Sequence, residues 1–111
     1  MTTTFVESVD LTGFEMWVDE TQVGHLLFNL RGDVMDITST VVYPEFGGKG
    51  FGAKLVMHAL DVAQSRSYSV IPTCPFVVNV IERKPEVYLD LVRSEDRLRF
   101  GLPRSVDAES D

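Results

Sequence analysis

The run Gly47-Gly48-Lys49-Gly50-Phe51-Gly52 divides this chain into two kinds of sequence. Upstream, apolar residues come in short, β-branched runs ending at Val41-Val42-Tyr43 and a Pro44-Glu45 turn. Downstream, Ala53-Lys54-Leu55-Val56-Met57-His58-Ala59-Leu60 has the composition of a helix. A glycine-rich turn between a strand and a helix has a specific physical use. Glycine removes the side chain, so backbone N–H groups can come close to an anion. The helix start adds unsatisfied N–H donors and the positive end of the helix dipole. Together they make a phosphate site.

The rest of the chain places this loop in a fold. Phe14 to Val18, Val23 to Leu30 and Val34 to Tyr43 read as three strands. They are joined by Asp19-Glu20-Thr21-Gln22 and by the turn signature Arg31-Gly32-Asp33, so an antiparallel meander is expected. Residues 1–10 alternate only weakly and are expected as a short or unstructured start. In residues 51–66 the period changes: Leu55, Val56, Ala59, Leu60, Val62 and Ala63 form one apolar stripe. Tyr68 to Pro72 is a fourth strand, expected parallel to the third because a helix intervenes. Pro75 suits the first turn of a helix over 76–83, and Pro85 starts a second over 86–92. The fold class is α/β with a mixed sheet, in the order β-β-β-α-β-α. Residues 1–93 form one domain in this reading. Residues 94–111 form a polar tail with Leu98, Phe100 and Leu102 as anchors and the acids Asp107, Glu109 and Asp111 near its end.

The 111 residues suit one domain. With 44% apolar and 24% charged residues, the composition is that of an ordinary globular protein. The formal net charge of −7 argues against general nucleic-acid binding, which depends on Lys and Arg meeting phosphates. It is compatible with a cationic substrate such as an amine, and equally with acids that simply keep the chain soluble. No apolar run approaches the roughly 20 residues of a membrane span, and Met1-Thr2-Thr3-Thr4 does not begin a secretory signal. Cys74 is the lone cysteine, consistent with a reducing, cytoplasmic setting.

Two familiar phosphate loops fit poorly. A Walker-type loop needs a hydroxyl after its lysine, and here Gly50 follows Lys49. Counting G-x-G-x-x-G from Gly48 puts Ala53 in the sixth place, which is permitted. However, the acidic residue expected about 20 positions on is not evident, and a βαβ start is missing. The remaining reading is a cradle for the pyrophosphate of an acyl-coenzyme A.

Residues Pro44 through Val56 resemble motif A of the GNAT N-acetyltransferase superfamily. Val70-Ile71-Pro72-Thr73-Cys74-Pro75-Phe76-Val77 and Ile81-Glu82-Arg83-Lys84-Pro85-Glu86-Val87-Tyr88 resemble its small, single-domain YjdJ-type branch. The resemblance spans roughly residues 14–93. It implies acetyl transfer from acetyl-coenzyme A to a primary amine, with a small molecule or a protein amine as acceptor and no metal. A non-catalytic acyl-coenzyme A binder or interaction module that keeps the fold is the other implied class.

By the resemblance, Gly48, Lys49, Gly50, Phe51, Gly52 and Ala53 hold the pyrophosphate. Thr40, Val41 and Val42 offer backbone to the pantetheine arm, and Asn79 lies near that arm or the thioester. Gly47 stands where Arg or Gln is typical, with Lys49 as a compensating charge, and Lys84 stands where His is common. Tyr88 is the positional candidate for the acid that protonates the leaving thiolate, against a plain reading as a half-buried helix aromatic. Cys74 is placed near the thioester as an acyl acceptor, a proton shuttle or neither. A lone buried cysteine is also an ordinary small apolar residue.

His25 and His58 lie on different elements with no second ligand at metal spacing, and read as structural. Glu82, Arg83, Lys84 and Glu86 read as a solvated helix face. Phe76 reads as core, and Trp17 as core or the edge of a cleft. The acceptor's identity and the oligomeric state are open at this level.

Overall fold

The structure is a computed structural model that describes residues 2–10 and 12–105. Five strands form one sheet in the order of the chain: β1 (Thr3–Glu7), β2 (Gly13–Val18), β3 (Thr21–Arg31), β4 (Val34–Val42) and β5 (Ser69–Ile71). The first four pair antiparallel. Helix α1 (Phe51–Ser65) carries the chain across to β5, which pairs parallel to β4. Helix α2 (Pro75–Arg83) follows, then the short α3 (Pro85–Tyr88) and α4 (Ser94–Arg97). The mixed α/β class, the meander and the parallel return are as the sequence implies.

The strands alternate as a half-buried sheet requires. The cross-strand row Glu7–Phe14–Leu26–Thr40 points toward the helices, and the next row, Val6–Glu15–His25–Val41, points to the other face. Phe14, Met16, Leu26, Phe28, Met35 and Ile37 meet the apolar stripe of α1, which buries Phe51, Leu55, Val56, Ala59, Leu60 and Ala63. Val77, Val80 and Ile81 of α2 complete this core.

Three sequence expectations change. The first ten residues contain a strand. Phe5 stacks on His58 of α1 with ring centroids 4.2 Å apart, and Glu7 accepts two hydrogen bonds from Arg66, at 2.8 and 2.9 Å. The weak alternation has a cause: only Phe5 on the inward side is apolar, and Glu7 is held inward by a residue distant in sequence.

The chain beyond Arg93 does not leave the domain. It continues through α4 and a single 3₁₀ turn, Leu98–Phe100, to Leu102, which is 4% exposed within the core. Leu102 is therefore an anchor and Phe100 packs against the core, but Leu98 is 84% exposed and anchors nothing. Asp107, Glu109 and Asp111 lie outside the described residues.

Phe76, expected in the core, is 40% exposed.

Candidate acyl-coenzyme A cleft

The sheet opens between β4 and β5. The two strands pair only from Val34–Ser69 to Asp36–Ile71, and one further bond runs from Cys74 N–H to the Ile37 carbonyl at 2.9 Å. Past that point the chain turns into α2, while β4 continues to Val42 with no strand on that side among the described residues.

A bulge decides what this free edge presents. The pairing of β3 with β4 passes from Leu27–Ser39 to Phe28–Ile37, which leaves Thr38 as an extra residue. Before the bulge, the carbonyls of Asp33 and Ile37 serve the β5 side. After it, Tyr43 N–H bonds Val23 on β3 at 2.9 Å. Backbone groups alternate along a strand. The main-chain groups of Thr40 and Val42 therefore turn away from β3 and into the opening, while those of Val41 turn toward β3.

The glycine loop stands at the head of this edge. Gly48 and Gly50 have φ of 77° and 78°, a left-handed conformation that suits glycine. Gly50 is the N-cap of α1 and makes no side-chain cap. The first intrahelical bond of this turn is Lys54 N–H to the Gly50 carbonyl, at 3.2 Å. The amides of Phe51, Gly52 and Ala53 precede it and have no acceptor within the helix. The loop is exposed, and a side-chain atom added at Gly48 or Gly50 would meet nothing within 4 Å.

Lys49 and Lys54 flank the loop, and neither forms an ion pair among the described residues. Both line a hollow of about 360 Å³ with Asp19, Thr21, Phe46 and Phe51. Gly47 is extended, with φ of −66°, and its N–H bonds the Pro44 carbonyl at 3.2 Å. Its place gives a turn rather than a charge.

Cys74 closes the other end of the opening. It is the N-cap of α2 and 7% exposed, and its thiol donates to Thr40 Oγ1 at 3.6 Å. Thr40 therefore faces the opening twice, with its backbone toward the gap and its hydroxyl toward the thiol. The ring tip of Phe76 lies across the space toward α1. A Cβ built on Gly52 would come within 3.2 Å of Phe76 Cζ and 3.5 Å of Val42 Cγ2. Sequence reasoning missed this residue. The available signal was a glycine inside the first turn of α1, where nothing about the backbone calls for one.

Three expected residues are not brought here: the main chain of Val41 is turned toward β3 instead of the opening, and Tyr88 and Asn79 lie elsewhere. Tyr88 is 4% exposed, and its hydroxyl donates to Asp61 Oδ1 at 2.9 Å. Asp61 is about three turns along α1 from Gly50, or roughly 16 Å. Burial, and then the Asp61 carboxylate, push the Tyr88 phenol up to about 12. Asn79 is exposed and lines a separate hollow of about 300 Å³ with Pro72, Thr73, Pro75, Arg99 and Phe100. Lys84 is exposed at the end of α2.

The histidines hold structure. His25 Nδ1 lies 3.2 Å from the Tyr43 hydroxyl. His58 lies against Phe5 and meets Phe14 edge-on at 4.9 Å, and burial lowers its pKa.

The sequence model of a family described as GCN5-related N-acetyl-transferase matches residues 13–91, from β2 to the end of the turn after α3. Comparison with curated proteins gives no match. Among solved structures, the chain is similar to N-acetylglutamate synthase from Neisseria gonorrhoeae complexed with coenzyme A and N-acetyl-glutamate. The identity is 18% and the TM-score 0.48, over 61% of this chain and 18% of that one. The chain thus spans under a fifth of that protein's length. The family match covers most of the sheet, the loop and both cleft walls, and the chain belongs to the GCN5-related N-acetyltransferase family.

Proposed function

We propose that this protein, a small single-domain member of its family, transfers an acetyl group from acetyl-coenzyme A to a primary amine. The observation that carries the reading is the alignment of the first-turn amides of Phe51–Ala53, which have no acceptor within the helix, with the outward backbone of Thr40 and Val42 and the thiol of Cys74 bonded to Thr40.

The residues present suit such a cosubstrate. Phe51, Gly52 and Ala53 offer N–H donors at the positive end of a 15-residue helix, with Lys49 and Lys54 beside them, which is the chemistry of diphosphate binding. Thr40 and Val42 offer strand-type backbone pairing to an amide-bearing chain, as an added strand would receive. When bound, acetyl-coenzyme A supplies an activated thioester carbonyl. The outward N–H groups of this edge are the fixed donors available to negative charge developing on a carbonyl oxygen. An amine with an ordinary pKa of about 10.4 must lose its proton before it attacks. At the Cys74 end of the cleft, the thiol bonded to Thr40 Oγ1 is a side chain able to hold or pass a proton. Tyr88 has no part in this reading, because its hydroxyl is committed to Asp61.

Titration calorimetry with acetyl-coenzyme A tests the binding. Release of coenzyme thiol on adding candidate amines tests the transfer. Binding without thiol release from any amine would leave a non-catalytic acyl-coenzyme A module, a reading that Gly47, in place of a charged side chain, favours. No binding would remove both.

A further inference from the structure

We propose that Phe76 is a positioning residue whose ring forms the floor of the cleft and seats the pantetheine arm of the coenzyme. This rests on the acetyl-coenzyme A reading above and adds to it a residue and a reason for one glycine of the loop.

Gly52 lies inside the first turn of α1 and, unlike Gly48 and Gly50, has no positive φ. Any residue could adopt its backbone, and alanine would favour the helix by about 1 kcal/mol. What glycine provides here is the missing side chain. The Cβ of an alanine would sit 3.2 Å from Cζ and 3.3 Å from Cε1 of Phe76, so the absent methyl is the space the ring tip uses. Gly52 therefore serves an aromatic ring from α2 in addition to leaving an amide free at the helix start.

The ring's surroundings give it a function. It extends from the first turn of α2, two residues after Cys74, to the first turn of α1 and the Val42 side chain. It thus links the loop end of the cleft to the Cys74 end, on the helix side of the free β4 edge. Phe76 remains 40% exposed. The ring tip packs on Gly52 near the Val42 side chain, and the residue keeps apolar surface open to solvent on the helix side of β4. A chain of alternating methylene and amide groups meets both needs there, with backbone pairing on one side and an aromatic surface below. The diphosphate end of the same molecule would lie at Gly50–Ala53, beyond the ring.

The test separates the two halves of the coenzyme. Calorimetry is run with coenzyme A and with 3′-phosphoadenosine 5′-diphosphate, which lacks the pantetheine arm. Phe76→Ala is expected to weaken coenzyme A about tenfold, as loss of a partly buried apolar contact should, and to leave the nucleotide unchanged. Phe76→Leu is expected to recover part of the loss. Gly52→Ala displaces the ring tip and is expected to weaken coenzyme A, but to have no added effect in the Phe76→Ala background, because the two changes act through one contact. Circular dichroism confirms that each variant is folded. Equal coenzyme A affinity in Phe76→Ala and the unaltered protein overturns the proposal, as does equal weakening of both ligands. If the unaltered protein binds neither ligand, the acetyl-coenzyme A reading fails first.

Discussion

The Tyr88 hydroxyl donates a 2.9 Å hydrogen bond to Asp61 on α1, and this bond fastens α3 to the flank of the helix that the glycine loop begins. Its phenol, pushed up to about 12 by burial and by that carboxylate, is poorly placed and poorly tuned to give a proton in the cleft. Tyr88→Phe keeps the buried ring and removes only the bond. Stability should fall by about 0.5–1.5 kcal/mol, read by thermal melting, with thiol release unchanged. A large loss of turnover at full folding would return Tyr88 to the chemistry.

Gly50 is the position where backbone conformation itself is at stake. Its φ of 78° would cost a side-chain-bearing residue about 1–2 kcal/mol, although the space around it is open. Gly50→Val should leave a folded, somewhat less stable domain that no longer binds acetyl-coenzyme A, because the branched side chain would stand where the helix amides face a ligand. Retained affinity in calorimetry would move the phosphate site elsewhere.

Cys74 sits at the N-cap of α2 with its thiol on Thr40. Cys74→Ala should lower turnover by about a hundredfold, the scale of a lost proton-transfer group, and leave coenzyme A affinity unchanged. Mass spectrometry of the unaltered protein mixed with acetyl-coenzyme A alone would show whether acetyl accumulates on the thiol. Full turnover in Cys74→Ala would reduce this residue to packing and exclude a covalent acetyl-cysteine step.

The clasp on β1 gives the domain an acid sensitivity with a defined direction. The Arg66 guanidinium holds the Glu7 carboxyl below its ordinary value of 4.5, so this contribution is present above that pH and lost as pH falls through the lower folded value. Burial between Phe5 and Phe14 holds His58 below its ordinary 6.5, outweighing the pull of Asp61 and Glu7 in the other direction. That contribution is full above about pH 6.5 and declines as His58 takes up a proton at lower pH. Melting temperature should therefore fall between pH 7.5 and 5.5, and His58→Phe should flatten this decline. Arg66→Ala should cost about 0.5–1 kcal/mol at neutral pH, as befits a partly exposed pair. An unchanged pH slope in His58→Phe would show that the imidazole is not the titrating group.

Several parts of this molecule were legible in the sequence because their causes are local. The apolar stripe of α1 follows from spacing along one helix, and the end of β4 just before Pro44 follows from one ring. The parallel return of β5 follows from an intervening helix. β1 was obscured because its inward positions include Glu7, whose partner Arg66 lies at the far end of α1. The segment after Arg93 looked polar because its apolar contacts, Phe100 and Leu102, stand among charged residues and meet the core only through packing.

The sequence by itself determined that a strand ends in a glycine turn whose amides start a helix, since glycine's conformational freedom and the unpaired first turn are properties of the chain at that point. Only the tertiary structure decided what surrounds that turn. The extra residue at Thr38 rotates the backbone of Thr40 and Val42 into the opening, and this depends on how β3 and β4 register. Phe76 covers Gly52, and Tyr88 is drawn away to Asp61, through contacts between residues far apart in the chain. Such contacts form only when whole layers pack, and no pattern of neighbours along a single segment encodes them.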